Sequence, residues 1–119
     1  MTASKYAEPQ LIICEEKSQL MTYADVVAFL GGFVEQVKLK TGDVLLVNEE
    51  AIRLQMPINE KATVIYRWSL EPLPDITSLP KIKWQQFYRS GGYNILGNAV
   101  LVRKKLAHLC FSDEENSNE

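Results

Sequence analysis

Residues 23–63, YADVVAFLGGFVEQVKLKTGDVLLVNEEAIRLQMPINEKAT, decide the fold, because each boundary in them is marked by a residue with a specific backbone role. Thr22 stands where a helix N-cap belongs, and Asp25 lies in the first turn, where the helix dipole favours a carboxylate. Ala24, Val27, Ala28, Phe29 and Leu30 supply the apolar face of that helix, and Gly31-Gly32 ends it. A glycine at C′ takes the left-handed conformation that other residues resist. Phe33 to Lys40, a Thr41-Gly42-Asp43 turn and Val44 to Val47 then read as a β-hairpin. Val44-Leu45-Leu46-Val47 is apolar without alternation, as in a central strand covered on both faces. Asn48 is placed to cap a short turn beginning at Glu49-Glu50, Pro57 ends that turn, and Asn59 is a second cap.

Within this block one residue breaks the pattern. At period two, Phe33, Glu35, Val37 and Leu39 share one side of the strand, which points Glu35 toward the expected core. A carboxylate there must be hydrogen-bonded, paired, protonated or at the lip of a pocket, because burying it bare is costly. Glu35, Asn48, Glu49 and Asn59 therefore make up a candidate polar cluster, either structural or ligand-binding. Glu49 and Glu50 also fit a helix first turn, and Glu35 fits an acceptor for backbone amides near Asn48 or Asn59.

Outward from the block, residues 1–9 read as a flexible leader ending at Pro9, and Gln10 to Glu16 as a first strand. From Glu60 to Trp68 the signals conflict: Glu60-Lys61-Ala62 favours helix, Thr63-Val64-Ile65-Tyr66 favours strand, and helix is preferred. Glu71 to Pro80 carries three prolines and reads as a loop. Trp84, Phe87 and Tyr88 are spaced for a short helix stopped by Gly91-Gly92, and Tyr93 to Arg103 reads as a last strand with a bulge at Gly97. The expectation is one α+β domain over 10–111, with a mostly antiparallel sheet of four to five strands and two to three short helices packed on one side. Residues 112–119 read as a disordered acidic tail.

With 119 residues, 46% hydrophobic and 24% charged, the chain suits one domain that buries its own core. The formal charge is −2, and without the tail acids Asp113, Glu114, Glu115 and Glu119 it is +2, neither of which marks a nucleic-acid binder. Cys14 and Cys110 lie in separate apolar runs, which suits buried reduced thiols rather than a metal or redox pair. Residues 1–10 lack the apolar region of a signal peptide and no apolar run is long enough to span a membrane, so a cytoplasmic location is expected.

The chemistry open to these residues is narrow. His108 is the single histidine and has no ligand partner at metal spacing, so no metal site is indicated, and Ser-His-Asp or Cys-His catalysis has no natural assembly. Both glycine pairs follow helices instead of opening them, the wrong end for a phosphate, and no cofactor is indicated. Glu35, Glu49 and Glu50 could share acid and base roles where hairpin and turn meet, although structural roles explain them more simply. Aromatic residues beside cations, Arg67, Trp68, Lys81, Lys83, Trp84, Tyr88 and Arg89, would suit stacked single-stranded bases, against the commoner reading of Trp68 and Trp84 as core.

The order AFLGGFVEQVKL, VLLVNEE, LQMPINEKAT and ILGNAVLV resembles the uncharacterised family called domain of unknown function 3846. Its pattern falls on Gly31, Gly32, Glu35, Asn48, Glu49, Asn59, Ala62, Thr63, Gly97 and Asn98, over about Met21 to Thr63 and Leu96 to Val102. Met56 replaces the leucine before proline, and Glu71 to Lys83 looks like an insertion. The resemblance implies a bacterial, phage or other mobile-element protein and implies no activity. If the carboxylate and amides met in space, they would form a pocket for a small polar ligand or an extended peptide. On these residues the chain reads first as a non-catalytic protein-binding or adaptor domain, pairing with a partner or another copy through strand edges near Gln10 or Arg103. Two alternatives stand beside it: a nucleic-acid-associated accessory protein and a small polar pocket around Glu35.

Overall fold

The computed structural model describes residues 7–70, 80–83 and 92–109. Strand β1 (Leu11–Cys14) leads through a 3₁₀ turn at Lys17–Gln19 to helix α1 (Tyr23–Leu30) and the hairpin β2 (Val34–Lys38) and β3 (Val44–Asn48). Helix α2 (Glu60–Ser69), strand β4 (Ala99–Val102) and a short helix α3 (Lys104–Ala107) follow. The sheet order is β1-β4-β3-β2, with β4 parallel to β1 and antiparallel to β3. The last strand thus fills the gap between the first strand and the hairpin.

Helix α1 begins and ends as its sequence dictates. Thr22 Oγ1 accepts the Asp25 N–H at 3.1 Å, and Gly31 takes φ +81° while the Gly32 N–H reaches back to the Val27 carbonyl. Its buried residues are Val26 and Leu30, with Phe29 beside them. Ala24 and Ala28, expected on that face, are exposed, because the helix is rolled to bring its larger side chains onto the sheet.

The hairpin register pairs Val34 with Asn48 and Lys38 with Val44. At its tip the Leu39 N–H bonds the Asp43 carbonyl, and Gly42 turns at φ +95°. Asp43 also acts beyond the hairpin, since its Oδ1 accepts the Lys104 N–H at 2.7 Å and so caps α3 from across the sheet. The expected strand to Arg103 is therefore shorter than its apolar run. It starts at Ala99, after a 92–98 loop joined to the chain at 57–59 by a bridge between Leu96 and Ile58, and gives way to α3 after Val102.

Both faces of the sheet are covered. Val44, Leu46, Val100 and Val102 meet α1, Cys14 and Leu106 of α3, while Leu45, Val47, Ala99 and Leu101 meet Ala62, Ile65 and Tyr66 of α2. The α+β architecture and four-strand sheet are as expected, but the helices do not lie on one side. Apolar runs without alternation in β3 and β4 require a cover on each face, and α2 supplies the second. Each fully buried leucine or valine here is worth roughly 1.5–3 kcal/mol.

Helix α2 resolves the conflict over 60–68 because two of its β-branched residues, Thr63 and Ile65, find tertiary partners. Thr63 is buried with its Oγ1 accepting the Ile95 N–H at 2.8 Å, and Ser69 Oγ accepts the Lys40 N–H at 2.9 Å, pinning both ends of the helix. Cys14 is buried in β1 and donates to the Gln19 carbonyl, and burial pushes its thiol pKa up. The expectations for residues 1–6, Cys110, the helix through Trp84 and Tyr88, and the acidic tail lie outside the described residues.

Candidate functional site

Sheet geometry decides where Glu35 goes. It shares a side with Val37 and Leu39, as its spacing dictates, but β2 is an edge strand and only its far end is covered. Leu39 is buried, whereas Glu35 is exposed and Phe33 is 69% exposed. The expectation of a core-facing carboxylate is corrected: Glu35 lies at the lip of a cleft of about 290 Å³ bounded by β2, the 49–52 turn and the 92–96 loop. Val37, Val47, Ile95 and Tyr66 give that cleft apolar walls, and Glu49 and Ile52 share its rim with Glu35. Among the described residues neither carboxylate side chain has a hydrogen-bond or ion-pair partner.

The three asparagines do not join that rim as free donors and acceptors. Asn59 is 2% exposed and both its donors and its oxygen are engaged: Nδ2 donates to the Gln10 and Gly97 carbonyls, both at 2.9 Å, and Oδ1 accepts the Ala62 N–H at 3.0 Å. Asn98 donates to the Phe29 carbonyl at 2.8 Å and accepts the Gln10 N–H at 2.8 Å. Asn48 is buried, donates to the Leu30 carbonyl at 3.1 Å and accepts the Glu50 N–H at 2.7 Å. Two of these amides close the last carbonyls of α1, and two clamp Gln10 where the chain enters β1. Asn48 touches the Glu35 cleft, yet its amide is spent on backbone. The polar cluster is thus a carboxylate rim on one side and a set of backbone staples on the other.

Burial raises the Tyr66 pKa, with Tyr93 adding to the shift, so its phenol is neutral at ordinary pH. Arg67 Nη2 is held by Asn94 Oδ1 at 3.1 Å. Among the described residues no group of three His, Cys, Asp or Glu side chains is placed to hold a metal ion, and no helix is long and apolar enough to cross a membrane.

Of the residues expected on a nucleic-acid surface, Arg67 and Trp68 lie in the last turns of α2, and Trp68 is 73% exposed, against its reading as core. Lys81 and Lys83 are exposed in a helical segment, residues 81–83. Trp84, Tyr88 and Arg89 lie outside the described residues.

Of the two strand edges expected to be open, one is so among the described residues. Arg103 follows β4, which is interior and paired on both sides, so no edge exists there. β1 is an edge. The Ala99 N–H bonds the Gln10 carbonyl and the Arg103 N–H the Cys14 carbonyl, so by alternation the N–H and C=O of Leu11 and Ile13 point away from the sheet. Pro9 bounds this edge on one side. On the other, Gln19 Oε1 accepts the Glu15 and Glu16 N–H groups at 2.7 and 2.9 Å. Ile13 is 38% exposed. Set against known proteins, the chain matches no family model, no curated protein and no solved structure, so the family resemblance rests on the order of its motif residues alone.

Proposed function

We propose that this chain is a non-catalytic protein-binding domain that takes an extended segment of a partner alongside β1. The observation that carries this reading is the outward N–H and C=O of Leu11 and Ile13, on an edge strand with no proline, lysine or bulge inside it. The opposite edge is differently equipped, since β2 carries the exposed Lys38 and is followed by Lys40, cations that discourage strand addition. Glu8, Glu15 and Glu16 flank the open edge, which favours a partner strand with basic residues beside its apolar ones and disfavours a second copy of this chain. A net charge of −2 weighs against the nucleic-acid alternative.

The test uses Ile13→Pro, which removes an outward donor while leaving the bonds toward β4 in place. Nuclease-treated pull-downs with the wild-type chain should retain a stoichiometric protein partner that Ile13→Pro loses, and the Leu11 and Ile13 amides should gain hydrogen-exchange protection in the complex. Retention of that partner by Ile13→Pro, or loss of every partner on nuclease treatment, would overturn the proposal.

A further inference from the structure

Helix α2 lays one side on the sheet through Ala62, Ile65, Tyr66 and Ser69, with Thr63 buried at the margin. At 100° per residue the opposite side carries Val64 at its centre, Arg67 and Glu60 on one flank, and Trp68 and Lys61 on the other. This outer side is mixed, with two exposed apolar residues set among three charged ones. Val64 is 54% exposed and Trp68, one turn further on, is 73% exposed, so an apolar ridge runs along a helix whose other face is already satisfied. A single exposed hydrophobic residue is ordinary, but an adjacent valine and tryptophan form a patch, and tryptophan is the residue most enriched at the energetic centre of interfaces.

Charge narrows what fits. Among the described residues Arg67 reaches the neutral amide of Asn94, and neither Arg67 nor Lys61 has an ion-pair partner. Glu60 is the single acid on this face and sits in the first turn, where it answers the helix dipole. We propose that the outer face of α2 is a docking surface for an acidic amphipathic helix of another protein, which buries Val64 and Trp68 under its apolar seam and sets carboxylates against Lys61 and Arg67. The one-turn spacing of the two apolar residues is that of the ridges by which helices pack, about 6 Å along the axis. A nucleic acid is the poorer occupant, because Glu60 offsets one of the two cations on this face and Val64 offers no ring on which a base could stack. The inference uses α2 alone and does not rest on the β1 edge.

The experiment titrates the full chain with three fluorescent probes and follows anisotropy. One is a synthetic amphipathic peptide of roughly five turns with leucine on one face and glutamate on its flanks. The second is the same peptide with lysine in place of glutamate, and the third is oligothymidylate. The acidic peptide should bind at least about tenfold more tightly than the basic one. Trp68→Ala should weaken that binding at least about tenfold while leaving the circular dichroism spectrum unchanged, and Ile13→Pro should leave it intact. Four results would overturn the proposal: no binding of the acidic peptide, equal binding of both peptides, indifference to Trp68→Ala, or Trp68-dependent binding of oligothymidylate in preference to the peptide. Loss of peptide binding in Ile13→Pro would do so as well, since it would place the contact on β1.

Discussion

Asn59 offers the sharpest test of the staple description, because a cap and a staple respond in opposite ways to one isosteric substitution. If Asn59 were only the N-cap of α2, Asn59→Asp would be nearly neutral, since the two residues cap equally well. The structure predicts otherwise. Oδ1 serves the Ala62 N–H, but Nδ2 donates to two carbonyls at 2.9 Å, and a carboxylate would turn both donations into opposed lone pairs in a site that is 2% exposed. For Asn59→Ala, losing the cap costs about 1 kcal/mol. The Gly97 carbonyl, left without this donor, adds about 1–3 kcal/mol, and the Gln10 carbonyl adds less because it keeps the Ala99 N–H at 3.0 Å. The total is about 2–4 kcal/mol, and Asn59→Asp should lose at least as much at neutral pH. In urea unfolding followed by far-ultraviolet circular dichroism, this is a midpoint shift on the order of 1–2 M. The introduced carboxyl also has a pH signature. Burial against carbonyls raises its folded pKa above the unfolded value, so stability relative to wild type is greatest below the unfolded pKa and is lost as pH rises through the folded one. Stability of Asn59→Asp within about 0.5 kcal/mol of wild type at pH 7 would refute the staple description.

Two further substitutions probe the backbone and the cleft. Glu35→Gln should change stability by less than about 0.5 kcal/mol in the same urea assay, because the carboxylate is exposed at a rim and holds no partner among the described residues; a loss above about 1 kcal/mol would return it to the interior. Gln55 takes φ +54° at the end of the 49–55 turn, where its N–H bonds the Ile52 carbonyl and the Met56 N–H the Ala51 carbonyl. This is a Schellman closure with glutamine in the glycine position, so Gln55→Gly should raise stability by about 0.5–1 kcal/mol, and a loss would show that the glutamine side chain matters more than its backbone.

What can be read from the sequence is local. The cap at Thr22, the left-handed Gly31, the Gly42 turn and the cap at Asn59 each follow from one residue's relation to its own backbone, and each is found in place. Periodicity also assigns Glu35 to the correct side of β2. It does not say whether anything covers that side, which depends on β2 being the sheet edge and so on β4 entering between β1 and β3. That insertion pairs residue 11 with residue 99, and no local signal encodes it. The same gap explains why the unalternating Val44 to Val47 run asks for cover on both faces without naming the element that supplies the second, and why Trp68, apolar at the end of a segment with conflicting signals, reads as core. Its exposure follows once 60–68 is a helix, since Ala62, Ile65 and Tyr66 already supply the packed side and Trp68 falls away from it.

The residues that carry the family resemblance gain a physical meaning from these contacts. Gly31 holds a left-handed turn, and a side chain on Gly32 would come within 2.9 Å of Asn48 Nδ2. A side chain on Gly97 would come within 2.7 Å of the Met56 sulfur. Asn48, Asn59 and Asn98 tie α1, α2 and the entry to β1 to one end of the sheet. Most of the motif therefore specifies how the chain closes on itself. Leu11, Ile13, Val64 and Trp68, the apolar residues proposed to bind partners, fall outside it. A chain sharing the motif would be expected to share this sheet and its staples, while the apolar positions proposed to meet partners are ones the motif leaves free.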